Sequence, residues 1–167
     1  NLLKMTQKSL IINNLEFAQK QLIINDSFAV FDLKRLAETL AISEVSAKAA
    51  SIYFELSGDS KQFRYPSLHL HIKTDLPAIC QRCLNEVLIH LDLKHDYLIS
   101  EVALEEDADN DEIDWLEENK EMSLLELIED ELLLAMPIAP LHDDNCTDVS
   151  MQSGEKPNPF AILKGKY

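Results

Sequence analysis

Glycine is scarce in this sequence, which has three glycines and one tryptophan among its 167 residues. Walker phosphate loops, the Rossmann dinucleotide fingerprint and the GxSxG nucleophile turn all need glycines at fixed spacing. None of these patterns occurs in the chain. The sequence therefore favours a protein that is not an enzyme, and we assign no catalytic residues to it.

Long apolar runs are also missing. The longest, at residues 132–136, is far shorter than the roughly 20 residues that a membrane-spanning helix needs. No charged-then-apolar signal segment opens the sequence. We therefore expect a cytoplasmic protein without a membrane partner.

The length of 167 residues predicts one medium domain, which can bury roughly two-thirds of the unfolded chain's surface. We expect residues 1–150 to form this single α+β domain. Residues 151–167 contain prolines at 157 and 159 followed by a short apolar run, and we expect them to form an extended C-terminal tail.

The negative charge is concentrated in one part of the chain. The net charge is -15, and residues 101–131 hold 15 acidic residues against one lysine, a net charge of -14. Residues 105–111 have almost no apolar content, which predicts a solvated acidic loop. Such a region repels bare phosphate and attracts basic partners. An equally simple interpretation is that these acids only keep the protein in solution.

Apolar periodicity predicts an antiparallel sheet meander packed with two or three helices. Residues 10–24 suggest a strand, a short helix and another strand, and Asp32 stands where it could cap a helix over residues 33–40. A period of two predicts three strands, with a turn at Gly58, Asp59 and Ser60 and a second turn over residues 77–84. The apolar positions of these strands are Ile52, Phe54, Leu56, Leu68, Leu70, Ile72, Val87, Ile89, Leu91 and Leu93.

The clearest helix signal lies later in the chain. Ser123 and Glu126 have the spacing of a capping box, and an apolar stripe follows them up to Pro137. We therefore predict a core-facing helix over residues 124–135.

A metal site is predicted from Cys80 and Cys83, whose spacing lets both thiolates reach one tetrahedral ion. His142 and Cys146, in the loop after the capped helix, complete a Cys3His set suited to structural zinc. The alternative is that the cysteines are reduced, partly buried thiols. A thioredoxin-like redox motif is disfavoured, because such a motif follows a strand and opens a helix, whereas strands are predicted on both sides here.

Four basic residues lie on or beside the predicted sheet, with aromatic residues between them, and such a mixture can contact RNA. They are Lys61, Arg64, Lys73 and Arg82. The alternative is an ordinary solvated face. His69, His71 and His90 are also interpreted as part of a solvated face, because they lack the nearby nucleophile that a catalytic site would need.

A metal-dependent nuclease or other hydrolase is the competing functional class. It would use acids near residues 107–114, because paired carboxylates hold the catalytic ions of such enzymes. These acids crowd one loop instead of being spread over the elements that would line a cleft.

Three segments resemble a known family. They are Cys80-Gln81-Arg82-Cys83, the run ELIEDELLLAMPIAPLH at residues 126–142, and KPNPF at residues 156–160. Their order and spacing resemble the signature segments of the large ribosomal RNA subunit accumulation protein family, known as YceD. Other branches of that family look as though they carry a second close cysteine pair, where this chain has only His142 and Cys146.

The resemblance implies a non-enzymatic role in the synthesis, processing or stability of 23S rRNA. The implied partner is the precursor of the large ribosomal subunit, contacted through rRNA or through a basic ribosomal protein. The resemblance supplies this function, which composition and spacing alone do not indicate.

Overall fold

The computed structural model describes residues 10–60, 65–100, 113–144 and 146, with only the backbone of Ile113. The acidic loop predicted at residues 105–111 and the tail predicted at residues 151–167 lie outside these residues. The described part of the chain contains no helix with the length and apolar character needed to cross a membrane.

The secondary structure is α+β, as predicted. Four helices are described where two or three were expected: α1 (Asn14–Gln19), α2 (Lys34–Leu40), α3 (Glu44–Ala49) and α4 (Leu124–Ala135). The strands are β1 (Ile11–Ile12), β2 (Ile23–Ala29), β3 (Ser51–Asp59), β4 (Ser67–Ile79), β5 (Glu86–Ser100), β6 (Ile113–Glu117) and β7 (Met122–Ser123). The strand, short helix and strand predicted for residues 10–24 are confirmed as β1, α1 and β2.

The main sheet has the strand order β2-β3-β4-β5-β6. The first four strands pair antiparallel, so the predicted meander of β3, β4 and β5 is confirmed. Strand β6 was not predicted, and it adds to β5 in parallel. A second, two-stranded sheet pairs β1 with β7.

The core lies on one face of the main sheet. Alternate residues of β3 and β4 are fully buried, as their period of two predicts, and α1 and α2 pack over this face while α2 also contacts α4. The buried strand residues are Ile52, Phe54, Leu56, Leu68, Leu70, Ile72 and Leu76. The opposite face carries mainly polar and charged side chains, together with the exposed Ile23, Tyr53 and Leu88.

The predicted capped helix is confirmed as α4. The Ser123 hydroxyl accepts a hydrogen bond from the backbone N–H of Glu126 at 3.4 Å. Leu124, Ile128 and Leu132 are fully buried along one side of the helix. The helix ends at its C-terminal cap residue, Met136. The next residue is Pro137, and proline cannot continue a helix.

The prediction that Asp32 caps α2 is wrong. Asp32 belongs to a short 3-10 turn, and its carboxylate accepts a hydrogen bond from the N–H of Ala29 at 3.2 Å. The cap residue is Leu33, which has no side-chain acceptor. Instead, Oε1 of Glu129 in α4 accepts from the N–H of Leu36 at 3.1 Å. A carboxylate distant in sequence thus replaces the local cap.

The predicted turn at Gly58 is also misplaced. Gly58 and Asp59 still belong to β3, where they pair with Leu68 and Ser67 of β4. A Cβ atom on Gly58 would lie 2.6 Å from the backbone oxygen of Phe17 and 2.7 Å from the Cα atom of Ala18, both in α1. Glycine is therefore required here by the close approach of α1 to β3, and not by a turn.

Candidate metal centre

The two cysteines of the Cys-x-x-Cys motif lie in the tight turn that joins β4 to β5. Cys80 directly follows β4 and is fully buried. Its N–H donates to the carbonyl of Asn85, and its carbonyl accepts from the N–H of Leu84, both at 2.9 Å. These two bonds close the turn and hold the Cys80 and Cys83 side chains on the same short loop.

The segment after α4 runs back to this turn. The N–H of Gln81 donates to the carbonyl of Pro140 at 2.8 Å. Nε2 of His142 lies 3.0 Å from the carbonyl oxygen of Glu86, at the start of β5. The loop is therefore attached at two points, inside the cysteine motif at Gln81 and after the motif at Glu86.

The structure brings together all four predicted metal ligands. The potential ligand atoms of Cys80, Cys83, His142 and Cys146 lie within 4.8 Å of one another, the only such group in the described part of the chain. Sγ of Cys80 is 3.7 Å from Sγ of Cys146, and Sγ of Cys83 is 3.5 Å from Nδ1 of His142. Tetrahedral zinc has bonds of about 2.3 Å to sulfur and about 2.0–2.1 Å to nitrogen. These bonds place two sulfur ligands about 3.8 Å apart, and a sulfur and a nitrogen ligand about 3.6 Å apart.

The cysteines are free thiols. A disulfide bond between Cys80 and Cys146 needs their sulfur atoms about 2.0 Å apart, much closer than the observed 3.7 Å. Three thiol sulfurs and one imidazole nitrogen form the soft donor set that binds zinc in closed structural sites. The residues present therefore fit a zinc ion.

The contact with Glu86 sets the tautomer of His142. A carbonyl oxygen can only accept, so Nε2 carries the proton in the 3.0 Å contact. In the neutral ring this leaves the lone pair of Nδ1 free, and Nδ1 is the atom that faces Cys83. Metal-binding histidines are commonly oriented in this way by a backbone carbonyl.

Hydrogen bonding favours the ionised form of Cys80. Burial acts to raise the pKa of this thiol, but backbone N–H groups of Cys83, Arg82 and His142 stabilise the thiolate and bring its pKa down to about 5. Burial also acts to raise the pKa of Cys146, while the hydrogen bond from Arg82 lowers it below its ordinary value. Thiolates are the form of cysteine that binds metals.

Arg82, predicted as an RNA contact, lies in this centre. Its Nε donates to Sγ of Cys146 at 3.1 Å, and one of its terminal nitrogens donates to the carbonyl of His142 at 2.9 Å. The same nitrogen also donates to the carbonyl of Asp144. The sequence signal for this role is the position of an arginine between the two cysteines.

Lys73 lies elsewhere, on the polar face of the main sheet. Its ammonium group is 3.3 Å from a carboxylate oxygen of Asp92, which also contacts His71 at 2.6 Å. The structure thus separates Lys73 from Arg82, and the predicted contacts Lys61 and Arg64 lie outside the described residues.

The three histidines singled out in the sequence all pair with aspartates. Across β4 and β5, three imidazoles each lie 2.6 Å from a carboxylate oxygen, in the pairs His69 with Asp96, His71 with Asp92 and His90 with Asp75.

Of the acids considered for a hydrolase, residues 107–112 lie outside the described residues, and Asp114 is an exposed residue of β6.

Sequence reasoning missed a polar cluster between β5 and α4. The hydroxyl of Tyr97 donates to Oε1 of Glu131 at 2.8 Å, and Nε2 of His95 lies 3.4 Å from the other carboxylate oxygen. Tyr97 is only 2% exposed. Since all three residues read as ordinary polar positions of a strand and a helix, periodicity could not reveal their contact.

Comparison with known proteins gives a family match. A family model described as "Large ribosomal RNA subunit accumulation protein YceD" matches residues 68–165, a range that includes the four clustered residues. A protein of that name from Haemophilus influenzae is 30% identical in an alignment 168 positions long, which covers 92% of each chain. No solved structure matches the chain. The chain therefore belongs to the large ribosomal RNA subunit accumulation protein YceD family.

Proposed function

We propose that this protein is a non-enzymatic factor that supports the synthesis, processing or stability of 23S rRNA. The observation that carries the proposal is the family match, which spans residues 68–165 and therefore includes nearly all of β4, the whole of β5, α4 and the cysteine centre. Its partner is the precursor of the large ribosomal subunit. The proposal also carries a cytoplasmic location, because ribosomal subunits are assembled there.

The second part of the proposal is a structural zinc ion bound by Cys80, Cys83, His142 and Cys146. All four positions of a tetrahedral ion are then filled by protein atoms, as in structural sites, whereas catalytic zinc keeps one position for water or substrate. Such an ion connects the turn between β4 and β5 to the loop after α4. Its chemical contribution is to hold the fold together, since thiolate ligands bind zinc strongly.

The charge distribution supports a basic partner. Residues 101–131 carry a net charge of -14, and His69, His71, His90 and Lys73 on the polar face of the sheet are paired with carboxylates. A basic ribosomal protein suits such a surface better than bare RNA phosphates do.

We further propose that residues 1–150 form one domain, on which the tail of residues 151–167 packs through its apolar residues.

The test is the ratio of 23S to 16S rRNA in cells depleted of this protein. We expect a selective fall in 23S rRNA that the wild-type chain restores. A double variant, Cys80→Ser with Cys83→Ser, should fail to restore it if the cysteine centre supports the function. An unchanged ratio on depletion would refute the rRNA assignment.

A second double variant separates a scaffold from a nuclease. Asp109→Asn with Asp111→Asn removes two carboxylates that a metal-dependent hydrolase would use. The proposed factor should keep full rescue with this variant. Loss of rescue as complete as that of the cysteine variant would favour a catalytic role for the acidic segment.

A further inference from the structure

Arg82 makes more polar contacts with the proposed metal-binding loop than its place in a surface turn requires. Its guanidinium group donates to Sγ of Cys146 at 3.1 Å, to the carbonyl of His142 at 2.9 Å and to the carbonyl of Asp144. One side chain from the β4–β5 turn therefore contacts both ligands of the second half of the site, one through its sulfur and one through its backbone.

The rigid shape of arginine matters for these contacts. A guanidinium group holds its donors in a fixed plane, so two acceptors bound to it are also fixed relative to each other. Cys146 follows His142 by four residues, so the course of the intervening loop decides whether its sulfur reaches the ion. By binding the carbonyls of His142 and Asp144, Arg82 fixes that course.

The net charge of the proposed metal centre also favours a positive side chain at this position. Three thiolates and a neutral imidazole around a divalent cation leave a net charge of -1, since cysteine binds zinc as the thiolate. Arginine stays protonated throughout the physiological range. Arg82 thus places a compensating positive charge in direct contact with one of the sulfur ligands, Cys146.

We propose that Arg82 is a positioning residue of the metal centre: it holds Cys146 in place as the fourth ligand and balances the negative charge of the bound thiolates. The inference rests on the proposed zinc site and deepens it. Groups of this kind, one shell outside the ligands, change metal affinity by about 10–100-fold when they are removed. The side chain then acts within the protein and not as a contact to RNA.

The experiment measures zinc affinity of the purified full chain by competition with a chromogenic chelator. Arg82→Gln removes both the charge and the fork, and Arg82→Lys keeps the charge alone. Arg35→Gln is the matched control, because Arg35 pairs with Glu129 and Asp130 between α2 and α4, away from the cysteines. We expect 10–100-fold weaker binding for Arg82→Gln, an intermediate loss for Arg82→Lys and no change for Arg35→Gln.

A second readout distinguishes positioning from a general effect on folding. Cobalt(II) replaces zinc, and its thiolate charge-transfer absorption reports how many sulfurs are bound, with Cys146→Ser as the reference for two. For Arg82→Gln we expect faster loss of the ion and faster alkylation of Cys146, with the thermal unfolding of the metal-free chain unchanged.

Wild-type affinity and wild-type alkylation of Cys146 in Arg82→Gln would overturn the inference while leaving the zinc site intact. An equal loss of stability in the metal-free and metal-bound states would also overturn it, because that result describes a purely structural residue. Failure of the wild-type chain to bind either ion would refute the zinc site itself, and this inference with it.

Discussion

Replacing Glu129 tests the unusual cap of α2. Glu129 is 7% exposed, and its carboxylate accepts from the N–H of Leu36 at 3.1 Å and from Nε of Arg35 at 2.8 Å. Glu129→Ala leaves the Leu36 N–H without its acceptor inside the protein. An unsatisfied buried donor of this kind destabilises by about 1–3 kcal/mol. The Arg35 pair adds little, since that side chain is 52% exposed and solvent screens it.

We therefore expect Glu129→Ala to lower the free energy of unfolding by about 2 kcal/mol, which for a chain of this size lowers Tm by about 4–8 °C. Thermal unfolding followed by circular dichroism measures the effect. Asp130→Ala is the matched control, because Asp130 contacts Arg35 at 2.7 Å but is 54% exposed. Equal shifts for the two variants would refute the view that the buried acceptor, and not the ion pair, stabilises α2.

Three further outcomes follow from the structure. Gly58→Ala should destabilise by about 1–3 kcal/mol in urea unfolding, because its Cβ would lie 2.6 Å from the backbone oxygen of Phe17; a neutral effect would contradict the close packing of α1 on β3. Burial and the contact with Glu131 raise the pKa of Tyr97 above its ordinary value of 10.0. The contribution of Tyr97 to stability is therefore complete below about pH 10 and is lost as the pH rises above that value. Tyr97→Phe should remove this part of the alkaline loss of stability, and an unchanged pH profile of the unfolding free energy would contradict the prediction. Removal of the proposed zinc by a chelator should lower Tm and speed alkylation of Cys80, which is fully buried; unchanged alkylation would show that the thiol is protected without an ion.

Local signals in the sequence were sufficient for much of the fold. Burial alternates over residues 51–56 of β3 and 68–76 of β4 because one face packs on helices while the other faces water, and α4 carries its own cap at Ser123. Strand β6 was missed because its five residues lie within the acidic stretch and their parallel pairing with β5 is a tertiary choice. Helix α3 was missed although Ser43 caps it, because its six residues show little apolar periodicity.

The candidate site was predicted only in its composition. The residue types of Cys80, Cys83, His142 and Cys146 suggested zinc, but the two halves lie about 60 residues apart and only the fold brings them together. The same limit applies to Arg82. Its basic character was visible, whereas its contact with Cys146 depends on how the loop after α4 returns to the β4–β5 turn.

The proposed zinc site is tested most directly by the metal content of the full chain, purified without added metal or chelator and measured by native mass spectrometry with elemental analysis. We expect one zinc ion per chain, and no bound zinc in Cys80→Ser with Cys83→Ser. A wild-type chain that contains no metal and takes up none from zinc solution would contradict it. The four clustered residues would then be only reduced thiols and a histidine packed at the end of the sheet.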